Sequence, residues 1–142
     1  MLEAVGDIWE HAVRGEIVAI TTNGSLTPDG RAIFGRGVAR QAGLRYPGLA
    51  EKLGRLLSEG GNHVFDLGCG IVTFPVEETP WSHPDLRIIA RSAQELRSLV
   101  DRSGWASIVV PRPGCGGGGL AWQDVQPFLD CCFDQRFLII SQ

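Results

Sequence analysis

The sequence is poor in basic residues, and lysine is nearly absent. Its 142 residues include 13 lysines and arginines against 16 aspartates and glutamates, for a formal net charge of −3. Twelve of those 13 are arginine and the other is Lys52, a bias to which we attach no functional meaning. A general nucleic-acid-binding surface is normally basic, so this balance argues against one. A nucleic-acid substrate held at one end by a pocket stays open.

Cysteine is sparse and forms no metal-binding pattern. The four cysteines are Cys69, Cys115, Cys131 and Cys132, with no Cys-x-x-Cys motif among them. Their spacing fits no zinc site, so we predict no metal. Cys131 and Cys132 adjoin in an apolar, helix-like stretch, where buried free thiols are common. We therefore expect reduced thiols, as in a cytoplasmic protein.

Long apolar runs are also missing. No stretch of 18 consecutive apolar residues occurs, which argues against a membrane span and a membrane partner. The N-terminal residues are acidic and lack the apolar segment of a secretory signal, so we expect a cytoplasmic location. The length suits one hydrophobic core, and we predict a single domain over residues 1–142.

What the sequence does contain is an alternation of strand and helix patterns. Strand-length apolar runs lie at residues 16–22, 64–68, 70–74, 107–110 and 136–141, and a short strand followed by a turn fits residues 1–13. Helical spacing covers residues 37–46, 49–59, 85–102 and 122–133. This alternation predicts an α/β fold, a three-layer α/β/α sandwich with a mixed, mostly parallel central sheet. The run at 70–74 is either an antiparallel partner of 64–68 or its continuation past a bend.

Two glycine-rich loops are the strongest functional signal. One is Gly35-Arg36-Gly37, and the other is Gly114 to Gly119, which follows an apolar strand and two prolines. Glycine exposes backbone N–H groups, and a helix N-terminus adds partial positive charge, so such loops bind phosphates. A flexible linker is the alternative for the second loop. Two such loops in a short chain favour a diphosphate held from both sides. Neither has the pattern of a Walker loop or a dinucleotide-binding fingerprint.

Beyond these loops, the chain resembles the macro domains, which are ADP-ribose-binding α/β/α modules. The resemblance covers residues 6 to about 130. It rests on Gly6-Asp7-Ile8, Thr22-Asn23-Gly24, Gly35-Arg36-Gly37-Val38-Ala39, Arg45-Tyr46-Pro47-Gly48, and Pro111-Arg112-Pro113-Gly114-Cys115-Gly116 with Leu120 and Trp122. The Pro-Arg-x-Gly-Cys-Gly segment resembles the branch of glycohydrolases that act on terminal ADP-ribose attached to protein carboxylates or DNA bases. That branch also includes proteins that process ADP-ribose-1″-phosphate.

The resemblance implies a role for each matching residue. Asp7 would accept a hydrogen bond from the adenine amino group beside the Ile8 backbone, although Asp7 also fits a helix N-cap. Asn23 would approach the distal ribose, although it also fits a plain turn residue. The first phosphate loop would be lined by Gly35, Arg36, Gly37 and Val38. The second would be lined by Pro113, Gly114, Cys115, Gly116, Gly117, Gly118, Gly119 and Leu120.

One position departs from the branch that the chain resembles. A lysine is expected just after the Phe-Pro turn, but the chain reads Phe74-Pro75-Val76-Glu77-Glu78. Glutamate cannot form a Schiff base as lysine can, so lysine-dependent chemistry is not expected. A carboxylate and an oriented water can still serve hydrolysis at an anomeric carbon. Glu77 is therefore the first catalytic candidate, with Asn23 beside it. Further titratable candidates are Glu78, Asp66, His83 and Asp85, and aromatic walls are expected from Phe34, Trp81 and Trp122.

The resemblance therefore implies an ADP-ribosyl hydrolase that releases single ADP-ribose units, most readily from glutamate or aspartate esters. The alternatives are a non-catalytic ADP-ribose reader and a phosphatase acting on ADP-ribose-1″-phosphate. The expected partner is ADP-ribose or an ADP-ribosylated protein, with an ADP-ribosylated nucleic acid also open. No cofactor is implied, and the expected state is a monomer.

Overall fold

Five strands and five helices make up the computed structural model, which describes residues 1–142. The strands are β1 (Leu2–Val5), β2 (Val18–Thr22), β3 (Ile71–Pro75), β4 (Ile108–Pro111) and β5 (Phe137–Ser141). The helices are α1 (Ile8–Val13), α2 (Val38–Arg45), α3 (Leu49–Gly60), α4 (Leu86–Ser103) and α5 (Trp122–Asp130). The N-terminal segment thus holds a helix as well as the expected short strand.

The strands form one sheet in the order β1-β5-β4-β2-β3, and every pairing between them is parallel. A parallel sheet needs helical crossovers on its faces, which is why strands and helices alternate. The predicted three-layer α/β/α sandwich is confirmed. Because the strands are parallel, their carboxyl ends all meet at one edge of the sheet.

Each face of the sheet is covered by its own apolar cluster. On one face, α4 and α5 contribute residues such as Ile89, Leu96 and Leu129, which are fully buried against β3, β4 and β5. On the other face, Ile8, Leu53 and their neighbours from α1, α2 and α3 pack against β2. Burial of such a side chain contributes about 1.5–3 kcal/mol, so these clusters hold the strand ends in place. Phe128 of α5, in contrast, is 36% exposed.

The predicted strand at 64–68 is not a strand. Its backbone forms only one antiparallel bridge to β3, between Asp66 and Val72. Side chains take its other backbone groups: the Val64 N–H donates to Glu95 at 2.9 Å, and the Phe65 N–H donates to the Thr73 hydroxyl at 2.8 Å. These bonds replace the ladder that a strand would need.

All four cysteines are free thiols in this structure. Among the helices, none combines the length and the apolar character needed to cross a membrane.

Candidate functional site

A cavity of about 670 Å³ opens at the edge where the parallel strands end. Residues that follow β1, β2, β3 and β4 line it, together with the last residues of β5. Four strand spacings of about 4.8 Å separate β1 from β3, so the floor spans about 19 Å. The cavity therefore suits an elongated ligand. Its charged or titratable side chains are Arg36, Glu77, His83, Arg112 and Cys115.

The first glycine loop, Gly35–Gly37, leads directly into α2. Gly37 is the N-cap residue, with φ of 71° and ψ of −136°, a conformation that a side chain would strain. All three loop residues and Val38 line the cavity. The free N–H groups of the first turn of α2 therefore begin beside the cavity, where an anion would be stabilised.

The second glycine loop, Gly114–Gly119, forms the opposite wall. Gly114, Cys115, Gly116, Gly117 and Gly118 line the cavity. The loop is closed by a hydrogen bond of 2.9 Å from the Leu120 N–H to the Gly114 carbonyl. It does not open a helix directly, since α5 begins only at Trp122.

Three residues predicted for the second phosphate loop do not line the cavity: Pro113, Gly119 and Leu120. Pro113 is buried, and Leu120 packs against the core on the α4–α5 face. The Leu120 side chain would also lie 2.9 Å from a Cβ at Gly114. Pro113 and Leu120 therefore shape the loop from behind, and Gly119 contributes a positive φ of 80°.

Arg36 connects the two loops. It is exposed, and its side chain extends to the second loop: a Cβ at Gly117 would lie 3.2 Å from the Arg36 Nε and 3.3 Å from its Cδ. The Arg36 charge also acts on Glu77. The positively charged side chain of Arg36 therefore lies between the two glycine loops.

Asn23 is buried directly after β2, and both roles that the sequence left open fit its position. Its Oδ1 accepts from the Ser25 N–H at 2.9 Å, and its Nδ2 donates to the Ile33 carbonyl at 2.9 Å. It is thus a structural turn residue. It also lines the cavity, and an amide has one further hydrogen and one further lone pair available.

Glu77 follows β3 and lines the cavity next to the end of β2. Partial burial raises the pKa of its carboxyl above the usual value, and the Arg36 charge opposes part of that rise. A half-buried carboxylate with a raised pKa accepts protons better than an ordinary one. The structure thus provides a proton acceptor at this end of the cavity.

Asp7 has the helix-capping role that the sequence left open. Its Oδ1 accepts from the Trp9 N–H at 2.9 Å at the start of α1. Asp7 itself does not line the cavity, whereas its neighbours Gly6 and Ile8 do. Asp7 is an exposed residue, and its second carboxylate oxygen is not used by the cap.

Of the other titratable and aromatic candidates, one lines the cavity and the others do not. His83 lines the cavity, whereas Glu78, Asp66 and Asp85 do not. Asp66 lies beside the amino end of β3, whereas the cavity lies at the carboxyl ends of the strands. Asp85 caps α4. None of the expected aromatic walls lines the cavity either: Phe34 packs on Gly43, Trp81 is 81% exposed, and Trp122 stacks on Arg112. The site has no aromatic wall, in contrast to the expectation.

The surroundings of Cys115 disfavour its thiolate form. Burial raises the pKa of its side chain, and the Arg112 charge only partly opposes this. The thiolate is the nucleophilic form of cysteine, so a raised pKa disfavours attack by Cys115 at neutral pH.

Several lining residues carried no signal in the sequence: Thr21, Gln41, Ser82, Ile140, Ser141 and Gln142. Gln41 receives a hydrogen bond of 2.6 Å from the Trp9 indole, which joins α2 to α1. The place of Ser141 and Gln142 in the cavity wall follows from the topology alone. Once β5 is known to be parallel, its end must reach the same edge as the ends of β2, β3 and β4.

The sheet, its two helical layers and the strand-end cavity define an α/β/α ligand-binding module. No protein-family model and no curated protein sequence matches the chain. Solved structures do match. The macrodomain of Mycobacterium tuberculosis DarG is 26% identical, with a TM-score of 0.76 and 89% of each chain covered. The macrodomain of Thermus aquaticus DarG is 19% identical, with a TM-score of 0.80, covering 99% of this chain and 97% of that one.

A third structure shares the fold at lower identity. Thermosipho africanus DarTG, solved in complex with ADP-ribose, is 15% identical, with a TM-score of 0.76. The match covers 99% of this chain and 41% of that protein. The chain has the macro-domain fold and is similar to the macrodomains of DarG proteins. The resemblance to macro domains predicted from the sequence is confirmed.

Proposed function

We propose that this macro domain binds ADP-ribose and hydrolyses single ADP-ribosyl modifications, with glutamate or aspartate esters as the preferred linkage. The observation that carries the binding proposal is the long cavity with a glycine loop on each wall. The first wall offers the N-terminus of α2, the second offers backbone of a bare loop, and Arg36 lies between them. This arrangement suits a diphosphate. The structural similarity to a protein solved with ADP-ribose supports the same ligand.

The proposed orientation follows the chemistry of the two ends of the cavity. The adenine lies toward Gly6 and Ile8, with Asp7 at the rim, and the distal ribose lies toward Asn23 and Glu77. Cavities that hold small ligands commonly fix them with a few well-placed polar groups, as here. The ligand set is that predicted from the sequence, without Pro113, Gly119 and Leu120, which act by shaping the second loop.

The proposed catalytic step uses Glu77 as a general base. Its carboxylate takes a proton from water as that water attacks C1″ of the distal ribose. The bond from C1″ to the ester oxygen breaks, and the substrate carboxylate leaves with the bonding electron pair. The transition state resembles an oxocarbenium ion, so the nearby negative charges of Glu77 and the diphosphate stabilise it. Asn23 orients the ribose. No lysine is involved.

The first test is release of ADP-ribose from a protein carrying single ADP-ribose units on glutamate. We expect free ADP-ribose above the level of a blank, together with calorimetric binding of ADP-ribose itself. No binding at millimolar concentration would overturn the proposal as a whole. Phosphate release from ADP-ribose-1″-phosphate would instead identify a phosphatase.

The Glu77→Gln variant tests the proton acceptor. General-base catalysis contributes about 10²–10⁴-fold, so kcat should fall by that factor while ADP-ribose affinity is kept. Burial raises the pKa of the Glu77 carboxyl. Above that pKa the buried negative charge lowers the stability of the folded state, and the loss is relieved as the pH falls through the pKa. The variant should thus be at least as stable as the wild type at pH 7. Unchanged hydrolysis would remove Glu77 from the mechanism.

A non-catalytic reader is the second candidate, and one observation favours it: the position after the Phe74-Pro75 turn holds Glu77, not the lysine of the branch that the chain resembles. Binding of ADP-ribose without turnover of any linkage would identify the reader. In either case we propose that residues 1–142 act as one domain and as a monomer.

A further inference from the structure

Asn62, which lies outside the cavity, contacts the backbone of Glu77. It follows α3 in the chain and carries none of the signals that marked the glycine loops. Its Nδ2 donates a hydrogen bond of 3.0 Å to the Glu77 carbonyl. The peptide unit after Glu77 is therefore held by a side chain 15 residues away in sequence.

The next carbonyl, that of Glu78, is held from the β2 side. The Gly24 N–H donates to it at 3.0 Å, and the Ser25 hydroxyl lies within 3.4 Å. Gly24 directly follows Asn23. Two successive carbonyls of the Glu77–Glu78 segment are thus fixed by different elements, and one of those elements also carries Asn23.

Asn62 and Gly24 are in close contact. A Cβ at Gly24 would lie 2.9 Å from both Cβ and Cγ of Asn62, so no side chain fits there without displacing Asn62. The backbone carbonyl of Asn62 also accepts from Arg91 of α4. Asn62 is therefore held on one side by α4 and fills the space beside the turn that follows β2.

The buried position of the Asn62 side chain has a cost in stability. Its Oδ1 is buried without a hydrogen-bond partner, as is the Nε of Arg91. A buried polar atom without a partner costs stability, and such groups are rare in folded proteins. The arrangement keeps the Nδ2 directed at the Glu77 carbonyl despite that cost.

We propose that Asn62 is a positioning residue, which fixes the Glu77 backbone so that the Glu77 carboxylate faces the distal end of the cavity. This inference rests on the proposed function, in which Glu77 acts at C1″. Asn62 does not line the cavity, so it acts on turnover and not on affinity. A small displacement of a reacting group is enough to lower a rate strongly, because catalysis depends on near-attack geometry.

The test compares Asn62→Leu, which keeps the approximate size and removes the donor, with Glu95→Gln. Glu95 accepts from the Val64 N–H and the His63 ring, lies 3.7 Å from the Arg91 Nε and makes no hydrogen bond to Glu77. Because glutamine keeps an acceptor oxygen there, the Glu95→Gln variant is the matched control. For Asn62→Leu we expect kcat to fall about tenfold or more, with the Kd for ADP-ribose within about twofold. For Glu95→Gln we expect both values to stay near those of the wild type.

Gly24→Ala is the second variant, because it displaces Asn62 without changing it. It should lower kcat in the same way, and it keeps the test available if Asn62→Leu does not fold. A folded variant of either kind with unchanged kcat would overturn the positioning role. So would an equal loss of kcat in Glu95→Gln.

A readout that needs no turnover separates this inference from the proposed function. If the wild type binds ADP-ribose but hydrolyses nothing, the hydrolase proposal fails and the Glu77 carboxyl can still be titrated by NMR. Release of the Glu77 segment into solvent removes part of its burial, so its pKa should move down toward the ordinary glutamate value in both variants. An unchanged titration in folded variants would overturn the inference.

Discussion

The first glycine loop depends on backbone conformation alone, whereas the second depends also on the absence of side chains. Gly37 has positive φ, and nothing lies within 4 Å of a Cβ added there or at Gly35. In the second loop, a Cβ at Gly118 would lie 2.6 Å from the Gly114 carbonyl oxygen and 2.6 Å from Pro84. Gly114 and Gly119 also have positive φ, so the second loop requires glycine both for torsional freedom and for space, whereas the first requires it for torsional freedom alone.

The two loops also differ in the charge that they offer. The first begins a helix, so the N–H groups of α2 and their dipole reach the cavity. The second is separated from α5 and offers its own backbone without a helix dipole. The comparison shows that two similar glycine runs can form opposite walls of one site by different physical means.

The largest effect should come from Gly118→Ala in the second loop. The new Cβ meets backbone at 2.6 Å, and overpacking of this kind costs roughly 1–3 kcal/mol. We expect at least about a tenfold loss of ADP-ribose affinity, since 1.4 kcal/mol corresponds to a factor of ten. Calorimetry and thermal unfolding measure both quantities. Gly116→Ala is the matched control, because a Cβ there meets open space.

A smaller effect is expected from Gly37→Ala in the first loop. No atom clashes, but the positive φ combined with ψ of −136° lies outside the left-handed helical region and costs a side chain about 1–3 kcal/mol. Unfolding by urea should report this loss, with a severalfold decrease in ADP-ribose affinity as the start of α2 shifts. Gly35→Ala has neither a positive φ nor a close neighbour, and it should match the wild type. Equal losses in both variants would mean that the first loop is limited by ligand contact and not by backbone conformation.

The smallest effect is expected from Arg36→Gln, which removes the cation between the loops. Arg36 is exposed, so its interaction with a bound diphosphate is screened and affinity should fall only about two- to fivefold. The loss should shrink at high salt. A larger, salt-independent loss would show that Arg36 also shapes the second loop.

The same variant should shift the pH dependence of hydrolysis. Arg36 lowers the pKa of Glu77, so its removal raises that pKa. As a general base, Glu77 is active when ionised, and activity is lost as pH falls through its pKa. The acid midpoint of the kcat profile should therefore move to higher pH in Arg36→Gln.

The position of Glu77 was predictable because it follows a buried strand whose end had to reach the ligand-binding edge. The first glycine loop was predictable for a similar reason, since Gly37 precedes a helix pattern. Residues 64–68 were mispredicted as a strand because Glu95 and Thr73 take their backbone N–H groups, and those contacts are distant in sequence. Asn62 was missed because nothing in its neighbourhood marks the Glu77 carbonyl as its partner.

The sequence by itself determined the alternation of strands and helices, the two glycine runs and the family that they resemble. These depend on local periodicity and on glycine's backbone freedom, which are properties of short segments. Only the tertiary structure decided that every strand pairing is parallel, that α5 starts too late to support the second loop, and that Arg36 reaches Gly117. Those features depend on side chains and backbone that meet across long sequence separations, where sequence spacing carries no information about distance.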